Sequence, residues 1–243
     1  MLEGPLKGRR VLVTRAPEQA EPLSLALKAA GAVAVRFPTI RFVPGDLSSA
    51  SAAMHRADWL LFTSANGVRF FFGAAKEGVP DDLRIAAVGT ATANALSEFV
   101  PTAILIPDVF DAEHLAAALP DLTGQHCVIP QAEGARDVLA RDLKGRGATV
   151  ETLVAYSTVS ARPEGPYPRD LDALTFTSPS TVTGWKEATS GRYETPRVVA
   201  CIGPITAAAA QNYGLRVDVV ADPHTAEGLV AGLIRYFQGA DSP

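Results

Sequence analysis

Short apolar runs alternate along this chain with segments in which apolar residues recur every three or four positions. The runs predict β-strands at residues 10–14, 32–37, 59–63, 84–88, 102–106, 126–130, 149–153, 173–177, 197–202 and 216–220. The periodic segments predict helices, which in the first half of the chain lie at residues 18–30, 66–77, 91–99 and 113–119. The strands are apolar throughout rather than alternating, which is typical of parallel strands covered on both faces. Alternating strands and helices of this length predict doubly wound α/β sheets.

The same pattern occurs twice. A shift of 114 positions places the FTS sequence at residues 62–64 on the FTS at 176–178, and a shift of 116 aligns the parts before it. We call residues 8–119 the first copy and residues 124–233 the second copy. Further matches are Gly8 with Gly124, Leu23 with Leu139, Gly31 with Gly147, Gly89 with Gly203, Thr92 with Thr206, and Leu115 with Leu229. Two copies predict two similar lobes, and clefts between lobes are common places for small ligands.

Two extended segments depart from the alternation. Residues 35–43 and 151–159 occupy equivalent places in the two copies, and the pattern predicts no helix directly after either. They form either a long terminal strand in each lobe or an antiparallel ribbon that joins the lobes. Pro38 interrupts the first segment, as suits an edge strand or a break in pairing.

Composition narrows the function classes. The chain has 243 residues, a net charge of −4 and 47% hydrophobic residues, which suffices for two packed cores. A nucleic-acid surface needs concentrated Lys and Arg, so we expect no nucleic-acid partner. No apolar stretch approaches membrane-spanning length, so we expect no membrane partner. Cys127 and Cys201 lie in apolar runs, which predicts buried, reduced thiols and a cytoplasmic protein.

The candidate chemistry lies at turns from strand to helix. Open α/β sheets bind ligands at the carboxyl ends of their strands, where glycine admits a ligand to the backbone and free N–H groups attract anions. The candidate binding residues there are Thr14, Arg15, Ser64, Ala65, Asn66, Gly89, Thr90, Thr92, Ser178, Pro179, Ser180, Gly203 and Thr206. Taken singly, such Ser, Thr and Gly residues are more often helix caps than ligand contacts. Together they would form a donor surface suited to a polyanion.

Other chemistries have little support. The chain contains no dinucleotide or P-loop glycine motif and no nucleophile elbow. Its four histidines are scattered without metal-ligand spacing, so we expect no metal site. Tyr156, in the second extended segment, is the one distinctive phenol, and without further information it is a half-buried strand aromatic.

In their order along the chain, these residues resemble the uroporphyrinogen-III synthase family. The segments that carry the resemblance are VLVTR at 11–15, FTSANGV at 62–68, VGTATA at 88–93, VAYST at 154–158, FTSPS at 176–180 and IGPITA at 202–207. No single segment is specific, whereas the ordered set is, and it covers nearly the whole chain.

The resemblance implies an α/β fold of two similar lobes, each a doubly wound parallel sheet flanked by helices, joined by a two-stranded β-ribbon. One lobe would combine residues 1–37 with 161–243, and the other would comprise residues 41–155. The linkers would lie at about residues 38–40 and 156–160. Each lobe would then mix pieces of both copies.

The resemblance also implies a reaction, the closure of the linear tetrapyrrole hydroxymethylbilane to uroporphyrinogen III with inversion of ring D. This lyase step belongs to porphyrin biosynthesis and leads to haem, sirohaem and cobalamin. No cofactor is implied, since the substrate supplies the electrons, and we expect a monomer. By position, Tyr156 would assist loss of the hydroxyl group. Ser64 and Ser178 would bind carboxylates, Thr92 and Thr206 would line the cleft, and Arg15 would pair with a carboxylate.

A second hypothesis stays open. A non-enzymatic, two-lobed protein that binds small anions, similar to periplasmic receptors, would explain the lobes and the cleft. It does not explain the ordered segments. A signalling protein similar to response regulators is excluded, because no acidic cluster follows the first strand of either copy.

Overall fold

The computed structural model describes residues 3–101, 103–190 and 192–240. The chain forms two compact units. Unit 1 consists of the described residues up to Phe42 and from Thr158 onward, and unit 2 is Val43–Ser157. Thr102, where one strand is predicted to begin, lies outside the described residues. Residues 1–2, Gly191 and residues 241–243, which belong to the predicted first lobe, also lie outside them.

Unit 1 contains a five-stranded sheet in the order β11-β10-β9-β1-β2. Its strands are β1 Arg10–Val13, β2 Val33–Arg36, β9 Ala173–Phe176, β10 Val198–Cys201 and β11 Val219–Val220. Every pair of neighbours is parallel. The helices of this unit are α1 Ala20–Ala29, α7 Pro179–Thr189, α8 Pro204–Asn212 and α9 Ala226–Ala240, and a 3₁₀ turn at Pro17–Gln19 precedes α1. Strands from both copies therefore share one sheet.

Unit 2 contains most of a six-stranded sheet in the order β3-β8-β7-β4-β5-β6. Its strands are β3 Ile40–Pro44, β4 Trp59–Phe62, β5 Arg84–Ala87, β6 Ile104–Leu105, β7 His126–Ala132 and β8 Thr149–Ser160. The strands from β8 to β6 pair in parallel. The helices are α2 Ala50–Arg56, α3 Ala65–Ala74, α4 Thr90–Leu96, α5 Ala112–Ala118 and α6 Val138–Gly145. The α/β class with parallel sheets flanked by helices is confirmed.

The two extended segments are hydrogen-bonded neighbours. Gly45 donates its N–H to Ala155 O at 3.0 Å, and Ala161 donates to Thr39 O at 2.8 Å. Because the residue numbers rise on one side while they fall on the other, β3 runs antiparallel to β8. The chain passes from one unit to the other within these two strands.

The first segment differs from its prediction in two ways. It forms two strands, β2 and β3, which are separated at residues 37–39 around Pro38. A helix, α2, does follow β3 after a short turn, so the expectation that no helix follows was wrong. The three alanines of α2 favour a helix, but a segment of seven residues carries too little periodicity to be recognised.

Packing around each sheet explains the strand composition. In unit 1, Leu12 faces one helical layer, whereas Val11 and Val13 face the other. In unit 2, Trp59, Leu61 and the residues opposite them pack against α5 and α6. Burial on both faces is what continuous apolar runs predict. Within the described part of the chain, no helix is both long enough and apolar enough to cross a bilayer.

Candidate functional site

Each sheet has a point at which the chain leaves neighbouring strands in opposite directions. In unit 1 this point lies between β1 and β9, and in unit 2 it lies between β4 and β7. Ligands of open α/β sheets bind at such points, beyond the carboxyl ends of the strands. Arg15 and Ser178 follow the two strands in unit 1, and Ser64 follows β4 in unit 2. Each unit therefore has its own set of candidate residues at the carboxyl ends of its strands, and we call this set the half-site of that unit.

Ser64 is the N-cap of helix α3 in the half-site of unit 2. Its hydroxyl accepts the N–H of Gly67 at 3.0 Å, as an N-cap does. Ala65 and Asn66 form the first helical turn and are half-buried. A methyl group on Gly67 would lie 3.0 Å from the carbonyl oxygen of Pro130, so glycine lets the helix start approach β7. The sequence FTSANG therefore folds into a close strand–cap–helix turn.

Tyr156 reaches the same half-site because of a β-bulge in β8. On β7 and β8, Pro130 lies opposite Leu153, and Ala132 lies opposite Tyr156. Residues 130–132 of β7 thus oppose residues 153–156 of β8, three positions against four, and Ala155 is the additional residue. A regular strand would place Leu153 and Tyr156 on opposite faces, whereas the bulge places both on the face that carries α3. The bulge therefore decides where the phenol lies.

Contacts with neighbouring residues hold Tyr156 in place. Its main-chain oxygen accepts the N–H of Glu133 at 2.8 Å. Its ring stacks on Phe70 of α3, with centroids 5.4 Å apart and planes inclined by 15°. Its hydroxyl lies 3.4 Å from Ser64 Oγ. Tyr156 is 7% exposed, so the phenol is a buried side chain rather than the half-buried aromatic that the sequence predicts.

The second turn of unit 2 contains Gly89, Thr90 and Thr92. Gly89 precedes α4, and its carbonyl oxygen accepts the N–H of Thr92 at 3.1 Å. A methyl group on Gly89 would lie 2.9 Å from the ring of Phe110, so this ring covers the helix start. Thr90 is exposed, whereas Thr92 is only 4% exposed.

In unit 1, Ser178 caps α7 more completely than Ser64 caps α3. Its hydroxyl accepts the N–H of Thr181 at 3.3 Å, and the Thr181 hydroxyl accepts the N–H of Ser178 at 3.3 Å, which is a capping box. Pro179 takes the first helical position, and Ser180 Oγ lies 2.8 Å from Ser178 Oγ. The hydroxyls of Ser178, Ser180 and Thr181 are therefore all hydrogen-bonded within the turn.

Arg15 is the cation of this half-site. Its Nη2 donates to Gln19 Oε1 at 3.2 Å, whereas its Nε is buried with no hydrogen-bond partner among the described residues. Burial lowers the pKa of the guanidinium, which nevertheless stays charged at neutral pH. Thr14 is fully buried and donates its hydroxyl to Thr175 O at 2.7 Å, so it links β1 to β9. Of these two predicted contacts, Arg15 is the one with an unused donor.

Gly203 repeats the arrangement of Gly89. It precedes α8, and a methyl group on it would lie 3.3 Å from the ring of His224, the residue equivalent to Phe110. Thr206 is 4% exposed, as Thr92 is. The two threonines that the resemblance places on a cleft surface are therefore largely covered within their own units.

A cavity of about 530 Å³ lies beside the half-site of unit 2. Leu47 before α2, Arg69 and Phe70 on α3, and Lys76 after α3 are among the residues that line it. Phe70 thus contacts Tyr156 and also borders this cavity. Among residues 3–101, 103–190 and 192–240, no three His, Cys, Asp or Glu side chains form a group that could hold a metal ion.

The comparisons with known proteins identify the family. The model of the family described as "Uroporphyrinogen-III synthase HemD" matches residues 21–231. The "Uroporphyrinogen-III synthase" of Synechococcus elongatus is 32% identical over 264 residues, with 96% of this chain and 97% of that protein covered. The chain belongs to the uroporphyrinogen-III synthase family. The resemblance inferred from the ordered segments is confirmed.

Solved structures of the family share the fold. A mutant uroporphyrinogen III synthase from the extremely thermophilic bacterium Thermus thermophilus is 21% identical and covers 96% of this chain and 100% of its own, with a TM-score of 0.61. The uroporphyrinogen-III synthetase of Helicobacter pylori is 17% identical and covers 94% and 99%, with a TM-score of 0.63. At these identities the likeness concerns the fold alone.

The structure brings some of the predicted residues together and leaves others apart. In unit 2, Tyr156 and Ser64 are neighbours, while Gly89 and Thr92 belong to the next turn of the same sheet edge. Sequence reasoning missed Phe70. A comparison of the two copies could have drawn attention to it. At the shift of 114, the buried aromatic Phe71 matches another buried aromatic, Trp185, whereas Phe70 matches Gly184. The ring of Phe70 is therefore specific to the first copy. The roles of the predicted residues stay predictions.

Proposed function

We propose that this chain is a uroporphyrinogen-III synthase that closes hydroxymethylbilane to uroporphyrinogen III. The observation that supports this most directly is the family match over residues 21–231. The half-sites are compatible with it, since they offer backbone N–H groups, hydroxyls and Arg15 to a substrate that bears two carboxylates on each pyrrole. Helix starts and a desolvated guanidinium are suitable partners for such anions.

The reaction balances without an added reagent. The hydroxymethyl group leaves as water once its oxygen is protonated or hydrogen-bonded, and an azafulvenium cation remains. The substituted carbon of ring D attacks this cation and forms a spiro-pyrrolenine, which fragments and closes again with ring D inverted. A proton leaves at the end, so the net change is loss of one water. The substrate supplies every electron, and we therefore propose no cofactor.

Tyr156 is the proposed donor to the departing hydroxyl. Its phenol is buried, and its oxygen lies near the cap of α3 at 3.4 Å from Ser64 Oγ. A positioned proton donor contributes roughly 10²–10⁴-fold to a rate. The enzyme also has to hold the chain ends in the spiro geometry, because unaided closure gives the uninverted isomer, and such control of orientation is a main source of catalysis.

The proposed carboxylate partners differ between the units. In unit 1 they are Arg15, Ser178 with Pro179 and Ser180, and Gly203. In unit 2 they are Ser64 with Ala65 and Asn66, and Gly89 with Thr90. Backbone donors predominate in both sets, so we expect binding to tolerate the loss of single hydroxyl groups. A monomer that acts in the cytoplasm stays our prediction.

The test is an isomer assay. The purified protein is incubated with hydroxymethylbilane, the products are oxidised to porphyrins, and isomers I and III are separated by chromatography. We expect isomer III in the presence of the protein and isomer I in a control with heat-denatured protein. Only isomer I in both samples would refute the proposed activity. Saturable binding of the substrate without isomer III would favour the alternative of a non-enzymatic anion-binding protein.

A further inference from the structure

We propose that Phe70 is a positioning residue for Tyr156, whose phenol it holds at the start of α3. This inference rests on the proposed function in one respect, namely that Tyr156 acts on the substrate. The contact itself is a property of unit 2 and can be tested without substrate.

The stacking geometry is specific. The two rings are nearly parallel, inclined by 15°, and their centroids lie 5.4 Å apart. Offset stacking is a favoured arrangement of aromatic rings and adds attraction beyond the burial of apolar area. Phe70 lies on α3 six residues after the cap Ser64, so one helix carries both the ring that orients the phenol and the hydroxyl near its oxygen.

The bulge makes such a contact possible. It brings Tyr156 onto the α3 face, where the side chain can still turn about its own bonds. A phenol that rotates about its side-chain bonds moves its oxygen by several ångströms, and a displacement of about 1 Å can cost roughly 10²-fold in rate. Stacking on Phe70 restricts this rotation.

The other unit shows that packing alone does not require two rings here. By the shifts that relate the copies, Phe70 corresponds to Gly184 and Tyr156 corresponds to Ile40. In unit 1 these residues also meet, since a methyl group on Gly184 would lie 3.1 Å from Ile40 Cγ2. The same junction of helix and strand is thus filled by glycine and isoleucine in one unit and by stacked rings in the other.

A neighbouring aromatic pair, unlike Phe70 and Tyr156, has an equivalent in the other unit. Phe62 and Phe71 form an edge contact at 5.7 Å in unit 2, and Phe176 and Trp185 form the equivalent contact at 5.9 Å in unit 1. All four side chains are buried. An aromatic pair that recurs in both units belongs to the packing of each unit's own core. The pair of Phe70 and Tyr156, in contrast, occurs in the unit whose phenol is the proposed proton donor and has no equivalent in the other.

The experiment combines substitution with kinetics. Phe70→Leu keeps an apolar side chain but removes the ring, and we expect kcat for hydroxymethylbilane to fall roughly threefold to tenfold, in line with the strength of one aromatic pair. KM should change little. Phe70→Tyr keeps a ring and should have the kcat of the wild-type protein. Phe72→Leu is the matched control, because Phe72 lies on the same helix and stacks on Phe99 at 5.1 Å; it should leave kcat unchanged.

A double-mutant cycle separates positioning from packing. If Phe70 acts through Tyr156, adding Phe70→Leu to Tyr156→Phe should lower kcat no further than Tyr156→Phe alone. Multiplying effects would overturn the proposal, and so would an equal loss of kcat in Phe72→Leu. If Phe70→Leu does not fold, Phe70→Met replaces it, since its flexible side chain also lacks a ring.

A measurement without substrate keeps this inference apart from the proposed function. The ring protons of Tyr156 should show a ring-current shift in the NMR spectrum that disappears in Phe70→Leu and persists in Phe72→Leu. An unchanged Tyr156 resonance in Phe70→Leu would overturn the positioning role even if the enzyme makes isomer III. A wild-type protein that shows the shift but forms no isomer III would refute the function and leave the contact established.

Discussion

The two half-sites are built from equivalent residues but satisfy their polar groups differently. In unit 1, the hydroxyls of Ser178 and Ser180 bond to each other, and the hydroxyls of Ser178 and Thr181 bond to main-chain groups of the same turn. In unit 2, Gly67 stands where unit 1 has Thr181, and the hydroxyl of Ser64 has the phenol of Tyr156 within 3.4 Å instead. A turn whose hydroxyls are all hydrogen-bonded within the turn stabilises the helix that follows. A turn whose serine hydroxyl also lies beside a buried phenol can in addition take part in the reaction.

The two half-sites also differ in the ring that covers the glycine before their second helix. Phe110 covers the helix start at Gly89 in unit 2, and His224 covers it at Gly203 in unit 1. The half-site of unit 1 thus has the guanidinium of Arg15 and the imidazole of His224, whereas the half-site of unit 2 has the rings of Phe110 and Tyr156. We therefore expect unit 1 to contribute mainly to carboxylate binding and unit 2 mainly to turnover.

The largest effect should come from Tyr156. Tyr156→Phe removes only the hydroxyl, and we expect turnover of hydroxymethylbilane to fall by roughly 10²-fold or more, as for the loss of a positioned proton donor. Thr92→Ala and Thr206→Ala should lower it far less, because both threonines are 4% exposed. Single-turnover rates with isomer analysis and a melting curve for each variant provide the comparison. Near wild-type turnover in Tyr156→Phe, with a collapse in either threonine variant, would assign the leaving-group role elsewhere.

A substitution at Gly184 sharpens the comparison through stability. A methyl group there would overlap the carbonyl oxygen of Thr39, so Gly184→Ala should destabilise the fold by about 1–3 kcal/mol, the usual cost of overpacking. Gly73 on α3 is the matched control, since nothing lies within 4 Å of an added methyl group. Gly73→Ala should stabilise the protein slightly, because alanine favours helices. Denaturant unfolding of both variants measures the difference, and equal stabilities would contradict the close approach in unit 1.

The two cap serines should separate binding from turnover. Ser64→Ala and Ser178→Ala each remove a cap, which costs about 0.5–2 kcal/mol of stability, and both should raise KM modestly because neighbouring N–H groups remain. Only Ser64→Ala should also lower kcat, since only its hydroxyl lies beside Tyr156. Steady-state kinetics with a melting curve for each variant decide this. A lower kcat in Ser178→Ala alone would reverse the roles of the two units.

The smallest effect concerns the buried thiols, one in each unit. Desolvation raises the pKa of Cys201 to about 12, and desolvation together with the charge of Asp58 raises that of Cys127 to about 11. An unfolded thiol loses its proton near its ordinary pKa of about 8.5, so the folded protein retains protons that the unfolded chain releases. Stability should therefore fall as the pH rises above that value. Thermal melting at stepwise higher pH should show a shallower decline in Cys201→Ala than in wild type, and an identical decline would show that this thiol is not desolvated.

Much of the fold follows from the sequence alone. Continuous apolar runs require strands buried on both faces, and Ser178 with Pro179 specifies a helix start from local chemistry. The lengths of two edge strands did not follow from the sequence. The two-residue strands β6 and β11 are shorter than the runs that predicted them, because a pairing partner on one side only limits an edge strand.

The sequence by itself determined the class of the fold, the duplication, the family and the turns that hold the half-sites, because these depend on local periodicity and on residues that recur in order. Only the tertiary structure decided where the buried phenol lies and which ring it meets. The bulge at Ala155 depends on how β8 pairs with β7, and the contact of Phe70 with Tyr156 joins residues 86 positions apart. No local pattern encodes either one, since a shift of a single residue in strand pairing moves a side chain to the opposite face of a sheet.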